Sequence, residues 1–462
     1  MRSCLIGATL TLLLLVSVPA AAQNTTPSPP NPFLGSVSKG PVSPQPLALS
    51  VKDAVQRALQ NNLGLLLQEE SETSARGARW RALADLLPNV SGSFAASRQV
   101  INLEAYGFPA TPSIVGPFNV RDARVYLSQP VIDLSALNDA RASALNQQAE
   151  KYGVKTARDL VVLVAVKLYL DAVATSSRVA MTRAQQTTAE ALFAQASDLK
   201  AAGIVAGIDV LRSQVELQNE RQRLIAAEND FEKAKLQLAR AIGLPLGQAF
   251  TLSDAIPYAP MAAPPLEEVL ARALESRPDF LAAKSRLDAA HASSRAANGA
   301  LLPSLRLDAD YGALGQTYAS AHGTYAMAAT ISIPVFDGGT TTARRIETAS
   351  LVRQREAELA DLRGRIEYDV RSALLDLRAT EQQLEAANTN MKLADAELTQ
   401  ARDRFGAGVT SNLEITQAQE SVATASEQYI SALYSHNLAK ASFARALGIT
   451  ESAVASYLGG VR

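Results

Sequence analysis

The chain carries two copies of one sequence unit, and this duplication limits the fold more than any other feature of the sequence. Arg57-Ala58-Leu59 recurs as Arg272-Ala273-Leu274, and Leu86-Leu87-Pro88 recurs as Leu301-Leu302-Pro303, both at a separation of 215 residues (272−57). Matches that keep one order at nearly constant spacing rarely arise by chance. The fold must therefore use one supersecondary unit twice.

Later matches place the boundaries of the two repeats. Pro130-Val131-Ile132-Asp133 recurs as Pro334-Val335-Phe336-Asp337, and Ala241-Ile242-Gly243 recurs as Ala446-Leu447-Gly448. Together with the composition, these matches predict six segments, which are a signal peptide at 1–22, a Pro-rich lead-in at 23–48, a first repeat at 49–243, a connector at 244–264, a second repeat at 265–449 and a tail at 450–462.

The N-terminal segment has the features of a secretory signal peptide. Arg2 precedes an apolar run at 10–18, and three alanines precede Gln23. The run is well short of the roughly 20 residues that span a bilayer. The only cysteine, Cys4, precedes the run, so we expect an exported mature chain with neither a disulfide nor a lipid-acceptor cysteine. The many prolines of the lead-in predict an extended, largely unstructured segment.

Each repeat is predicted to contain a helix, two strands, a long helix, a turn and a second helix. The long helices extend from about Ser135 to Ala202 and from about Thr340 to Phe405, without an internal proline. At 1.5 Å per residue each is about 100 Å long, which predicts an elongated protomer. The strands are predicted at about 89–101, 118–130, 304–314 and 323–334.

The helices that follow the turns have a heptad pattern. In the second repeat, large side chains recur every seven residues, at Ile415, Val422, Tyr429, His436 and Phe443. An alanine lies three positions after each of them, which is typical of a coiled-coil seam with alternate small layers. An ordinary helical hairpin core is the alternative. His436 stands where the first repeat has Phe231, so we interpret it as a core residue.

The strands are amphipathic. Apolar and polar or small side chains alternate along them, as between Thr324 and Ile333, which fits either a sandwich edge or a membrane-barrel wall. The strand segments 90–130 and 304–336 hold nine of the 24 aromatic residues, and this concentration favours the wall. Four strands cannot close a barrel, so the chain must oligomerise. Strand number alone leaves both a dimer and a trimer open.

The whole arrangement resembles the outer-membrane efflux protein family, the TolC-like channels. The most specific match is the turn from Arg404 to Ile415 followed by Gln419, with Gly203 to Val210 and Gln214 as its first copy. The resemblance implies a mainly α protein with a membrane β-barrel, in which a homotrimer closes a twelve-strand barrel continued by a twelve-helix α-barrel. It also implies that the helix tips meet a periplasmic adaptor, the membrane fusion protein, coupled to an inner-membrane pump.

The turns supply the candidate site residues. For the periplasmic tip, as adaptor contact or aperture, they are Gly203, Asp209, Gln214, Gly408, Thr410, Asn412, Glu414 and Gln419. Asp209 and Glu414 open the returning helices, where an acid complements the helix dipole. Helix capping is therefore one interpretation of these acids, and a negatively charged mouth that favours cations is the other.

The sequence offers no enzymatic chemistry. The 44 basic and 45 acidic residues nearly balance, which argues against a nucleic-acid partner. The three histidines are far apart and the mature chain lacks cysteine, so we expect no metal and no cofactor. Asp308 and Asp310 share one strand face, where a water-facing wall explains them better than an acid–base pair. We expect no catalytic residues and no enzyme.

These inferences predict an outer-membrane channel of a tripartite efflux or type I secretion system. It would lie in the outer membrane of a Gram-negative bacterium, contact outer-membrane lipid, extend into the periplasm and conduct substrates passively. A secreted coiled-coil stalk or adhesin shares the heptads but does not need duplicated amphipathic strand pairs. A periplasmic adaptor would have one helical hairpin, not two.

Overall fold

The computed structural model describes residues 31–457, with gaps at 39, 110, 255–260, 262–263, 408 and 410–411. The described residues from Pro32 onward belong to one compact unit. The signal peptide predicted at 1–22 and the start of the lead-in lie outside the described residues, as does the end of the tail.

The elements follow the predicted order twice. The helices are α1 Val51–Asn61, α2 Leu63–Ala84, α3 Leu134–Ala201, α4 Gly207–Ile242, α5 Leu266–Ser276, α6 Pro278–Gly299, α7 Thr340–Gly406, α8 Asn412–Ala446 and α9 Thr450–Tyr457. The strands are β1 Leu47–Leu49, β2 Asn89–Asn102, β3 Ile114–Ile132, β4 Phe250–Leu252, β5 Ser304–Gly315 and β6 His322–Ser332.

One difference from the expected unit is that its first helix is broken in both repeats. Asn62 separates α1 from α2, and Arg277 separates α5 from α6 at the equivalent position. The Asn62 side chain caps α2, because its Oδ1 accepts a hydrogen bond from the Gly64 amide at 2.9 Å. In the second repeat Pro278 begins α6, and the residue before a proline avoids the helical conformation.

A repeated aspartate lies just before the start of each long helix. Asp133 accepts a hydrogen bond from the amide of Ala136 at 2.8 Å, and Asp337 accepts one from the amide of Thr341 at 2.7 Å. Both acids close the Pro-Val-x-Asp motif that recurs in the sequence. Side-chain caps of this kind satisfy amides that have no partner within the helix. The helices α3 and α7 then continue for 68 and 67 residues, about 100 Å each.

The helices pack side by side in two tiers that share α3 and α7. Next to the large sheet, the lateral order is α2, α3, α6, α7. In the tier that ends at the turns, the order is α4, α3, α8, α7. One lateral edge of the chain is therefore formed by α2 and α4, and the other by α7 along its whole length.

The burial of the helical hairpins matches the predicted seam. Along α8, every large seam residue is buried or half-buried, and His436 is fully buried. Leu377 and Leu384 of α7 are also fully buried on the facing side. The histidine lies in the helix contact, with its Nδ1 at 3.4 Å from Thr380 Oγ1, as expected for a core residue.

The most apolar part of α3 is also core. This helix has a segment that is apolar and long enough to cross a membrane, but 56% of it is buried within the protein. Val161, Ala165 and Tyr169 of this segment pack against α1 and α4 residues in one buried cluster. We therefore interpret the segment as a buried helix face.

The four long strands form one antiparallel sheet in the order β2-β3-β5-β6. Near the centre of the sheet, Val125 pairs with Tyr311, and Tyr311 pairs with Tyr325. β2 and β6 each have one neighbour and form the two edges. The strand β3, at 19 residues, is longer than the 118–130 segment predicted for it. The sheet nevertheless has the four strands per chain expected of the TolC-like fold.

The lead-in, connector and tail contain more structure than their composition predicts. β1 of the lead-in pairs in parallel with β4 of the connector. Tyr169 donates a hydrogen bond to the Leu49 carbonyl at 3.0 Å, which attaches this small sheet to α3. In the tail, α9 is held by Arg158, which donates to both carboxylate oxygens of Glu451 at 2.9 and 2.6 Å.

Substitution of a buried seam leucine tests the helix packing. Leu384→Asp places a carboxylate where the native side chain is fully buried, and should cost about 3 kcal/mol or more. Thermal unfolding followed by circular dichroism should show a large drop in Tm. The control Gln383→Asp adds the same charge at an adjacent exposed position. Equal Tm values for the two variants would contradict the seam.

Candidate functional site

The two helix turns share one backbone hydrogen bond at equivalent positions. The amide of Ile204 donates to the carbonyl of Leu199 at 2.9 Å, and the amide of Val409 donates to that of Arg404 at 3.0 Å. These bonds satisfy carbonyls at the ends of α3 and α7 in the manner of a Schellman motif. In the first turn, Gly203 has φ 72°, a left-handed conformation that favours glycine. Both long helices therefore end in a hydrogen-bonded turn.

A small apolar cluster joins the two turns. Phe405 of α7 and Ile415 of α8 are buried together with Ala401 and Ala418. Leu199, from the last turn of α3, packs against this cluster from the first repeat. The turn of the second repeat is thus supported by a residue of the first, and the two hairpins end side by side.

The two predicted acids lie in the first turns of α4 and α8, each beside an arginine. Asp209 lies 3.7 Å from Arg212 within α4, and Glu414 lies 2.9 Å from Arg404 across the turn. The arginine side chains are half exposed or more, so each ion pair contributes at most about 1 kcal/mol. The geometry fits helix-dipole stabilisation and also leaves partly exposed carboxylates at both tips.

The structure describes only part of the predicted site. Gly203, Asp209 and Gln214 lie at the first turn and the start of α4, where Gln214 is exposed. Gln419 is half-buried, five residues after Glu414. Gly408 and Thr410 lie outside the described residues, and Asn412 is described only as the first residue of α8.

The tips also carry exposed apolar residues, called here the apolar rim, which were not among the residues predicted from sequence. Ile204 and Ile208 are exposed at the first turn, and Val409 and Leu413 are exposed at the second. Each residue of the first pair is 205 residues from its counterpart (409−204), the spacing of the two repeats. This alignment could have revealed the rim, because large apolar side chains recur at positions where a turn meets solvent. Paired exposed apolar residues of this kind mark contact surfaces.

The large sheet has one polar face. Arg124 donates to Asp310 and, at 2.9 Å, to Thr324 Oγ1. Asp308 accepts a hydrogen bond from Ser128 at 2.6 Å. Each aspartate thus has its own partner on a neighbouring strand, which fits a polar wall and not an acid–base pair.

The opposite face of the sheet is apolar and exposed. Its large exposed side chains are Val90, Phe94, Val125, Tyr311, Tyr325, Met327 and Ile331. They come from all four strands, and directly paired residues share one face of a sheet. A continuous apolar patch of this extent marks a protein or membrane contact.

No metal centre is found in the part of the chain that the structure describes. Within it, no three His, Cys, Asp or Glu side chains lie close enough together to hold an ion.

Comparison with known proteins finds a matching family model and similar chains. A family model described as outer membrane efflux protein matches residues 269–449. The pyoverdine export outer membrane protein OpmQ of Pseudomonas putida is 25% identical over 396 residues, which cover 81% of each chain. The outer membrane protein OprJ of Pseudomonas aeruginosa is 27% identical over 420 residues, covering 85% of this chain and 83% of OprJ.

A solved structure shares the fold. The CmeC outer membrane channel of Campylobacter jejuni superposes with a TM-score of 0.74 at 17% identity, covering 94% of this chain and 96% of CmeC. The family model covers the second repeat, whereas the curated relatives and this structure cover both repeats.

The left-handed glycine of the first turn can be tested by local proteolysis. Gly203→Ala should destabilise the turn by about 1 kcal/mol and make trypsin cleavage after Lys200 about fivefold faster. Gly207→Ala is the matched control, since Gly207 is helical and its added Cβ would meet only ordinary contacts with Lys200 at 3.7 Å. Unchanged cleavage of Gly203→Ala would contradict the role of the turn.

Proposed function

Because the chain belongs to the outer membrane efflux protein family, we propose that three copies form the outer-membrane duct of a tripartite efflux or type I secretion system. The protein is an outer-membrane efflux channel of a Gram-negative bacterium. In the proposed assembly, substrates pass without further chemistry from an inner-membrane pump and a periplasmic adaptor to the exterior. The family consists of channel proteins, and the proposal includes no enzymatic step for this chain.

The open sheet is the observation that carries the proposal. Among the residues that the structure describes, β2 and β6 each lack a neighbouring strand on one side. An unpaired backbone group within a bilayer costs several kcal/mol, so a lone four-stranded sheet is not stable there. Pairing β6 of one copy with β2 of the next removes both edges. Three copies give the twelve strands of the homotrimer that the family resemblance implies.

The positions of the helices support closure of the ring by the same symmetry operation that pairs β6 of one copy with β2 of the next. α2 and α4 lie on the β2 side of the chain, and α7 lies on the β6 side. A rotation that brings β6 next to β2 of another copy therefore also brings α7 next to that copy's α2 and α4. One symmetry operation closes the barrel and the helical tunnel together.

Exposed leucines occur at matching heights on these helix edges. Leu236 of α4 corresponds to Ala441 of α8 at the repeat spacing of 205 residues (441−236). Phe443, two residues later, belongs to the same buried cluster as Leu374 of α7. Leu236 is therefore level with Leu375 of α7, and these two side chains are 48% and 66% exposed. Contact between neighbouring copies would bury both.

The two faces of the sheet support its placement in a membrane. The apolar face suits lipid, and the polar face, with Arg124 and Asp310, suits an aqueous lumen. In a secreted coiled-coil stalk, the alternative from sequence, the apolar face would remain in water. This exposed patch favours the membrane channel over the stalk.

The tips are the proposed contact with the periplasmic adaptor. Three copies would present six turns in one ring, each with an exposed apolar pair such as Ile204 and Ile208. Apolar side chains at a solvent-exposed tip gain free energy when a partner covers them. The site residues proposed for contact and aperture are the eight turn residues named above, with Asp209 and Glu414 as the charged members.

Assembly is tested by fractionation and unheated gel electrophoresis. Wild-type protein should appear in the outer membrane as an oligomer that heating dissociates. Leu236→Asp and Leu375→Asp should weaken that oligomer, because each buries a carboxylate between copies. The control Leu246→Asp changes a leucine that is 61% exposed in the connector. A soluble periplasmic monomer would refute the channel, and full assembly of both edge variants would refute this interface.

The charged mouth is tested by single-channel recording. Asp209→Asn together with Glu414→Gln should reduce cation selectivity, because both tips of every copy lose a carboxylate near the aperture. Glu267→Gln together with Glu268→Gln removes the same charge from exposed positions in the first turn of α5. Selectivity that is equal in wild type and the tip variant would reject the mouth and leave helix stabilisation as the role of the acids.

A further inference from the structure

Among the strand residues that the structure describes, two arginines are the only charged side chains on the apolar face of the large sheet. The charged residues of its strands are Arg98, Arg121, Asp122, Arg124, Arg306, Asp308 and Asp310. Alternation places Arg98 and Arg121 on the same face as Phe94 and Val125, and the other five on the polar face. The lipid-facing side thus carries two positive charges and no negative charge.

These arginines are neighbours in space. Arg98 pairs directly with Asn119 and Arg121 pairs with Ala96, so the two arginines face each other diagonally across β2 and β3. Diagonal neighbours of this kind lie about 7–8 Å apart. Neither forms an ion pair with any residue that the structure describes. Two like charges at this spacing repel each other unless an anion lies between them.

Tyr318 holds one of the two guanidinium groups in place. The Arg121 guanidinium carbon lies 4.6 Å from the centre of the Tyr318 ring, which the loop between β5 and β6 supplies. Stacking on an aromatic face orients the guanidinium and leaves its N–H groups free to donate. This geometry suits a phosphate, whose oxygens accept paired N–H donors from arginine.

The pair lies at the headgroup level of the outer leaflet if the sheet spans the membrane as proposed above. The exposed apolar band extends along β6 from Ile331 to Tyr325, the partner of Tyr311 across from Val125. Arg121 lies four residues beyond Val125, away from the helices. The arginines therefore follow directly after the apolar band, on the side that faces the exterior.

We propose that Arg98, Arg121 and Tyr318 form a binding site for a phosphate of the lipid A headgroup in the outer leaflet. The ligand is a phosphorylated glucosamine disaccharide with acyl chains, so its phosphate meets the arginines while its chains cover the apolar band. Because β2 is an edge strand, the site lies beside the proposed subunit boundary. Bound lipid should therefore also stabilise the oligomer against dissociation by heat.

The experiment uses purified oligomers in detergent with bisphosphorylated lipid A added as the probe. Native mass spectrometry should detect lipid A on the wild type, and Arg98→Gln together with Arg121→Gln should weaken binding about tenfold or more. The control Arg272→Gln together with Arg295→Gln removes two exposed arginines from α5 and α6 and should bind as the wild type does. Lipid A without phosphates should bind wild type as weakly as lipid A binds the Arg98/Arg121 variant.

Only oligomers that conduct ions in a planar bilayer enter this comparison. If no conducting oligomers form, that result contradicts the proposed channel, so it can be distinguished from a failure of the lipid site alone. Among conducting oligomers, equal lipid A binding by wild type and the Arg98/Arg121 variant would overturn the inference. Equal heat stabilisation by inorganic phosphate alone would overturn the assignment to lipid.

Discussion

The backbone groups along the free sides of β2 and β6 set the conditions for the rest of the structure. Their N–H and C=O groups cannot be left unpaired in hydrocarbon, where no water replaces the missing hydrogen bonds. In the described part of the chain, this sheet has four strands, too few to close a barrel. Pairing between copies is the remaining solution. The apolar face, the polar face and the paired helix edges are all arranged to suit it.

Duplication makes that solution geometrically simple. Asp133 and Asp337 lie at the same place in each repeat, between the last strand of each strand pair and the long helix, and each accepts a hydrogen bond from an amide of that helix's first turn. The sheet and the helices are therefore in register twice within one chain. Since the β2 side and the α2–α4 side coincide, the sheet edge and the helix edge face the same neighbour. An oligomer can then close both layers without a separate interface for each.

Sequence predicted the features that depend on periodicity and missed those that depend on distant partners. The seam and the amphipathic strands follow from local spacing, so Ile415 and Tyr325 lie where the pattern places them. The pairing of Leu47–Leu49 with Phe250–Leu252 joins segments about 200 residues apart, and no local signal reveals it. Likewise α9 depends on Arg158, far away in sequence. The breaks at Asn62 and Arg277 arise from two different local causes, a side-chain cap and a following proline.

The two repeats also differ at one position of the helix seam. Glu220 occupies the seam position that Ala425 holds in the second repeat, and it is only 4% exposed. Arg223 donates to Glu220 at 2.8 Å and to Glu420 of α8 at 2.9 Å. Burial raises the pKa of the Glu220 carboxyl, so this seam layer is most stable when Glu220 is protonated and loses stability as pH rises through that pKa. Arg223 thus links the buried Glu220 of its own helix to the exposed Glu420 of α8, whereas the alanine at the equivalent position of α8 keeps close packing in the second hairpin.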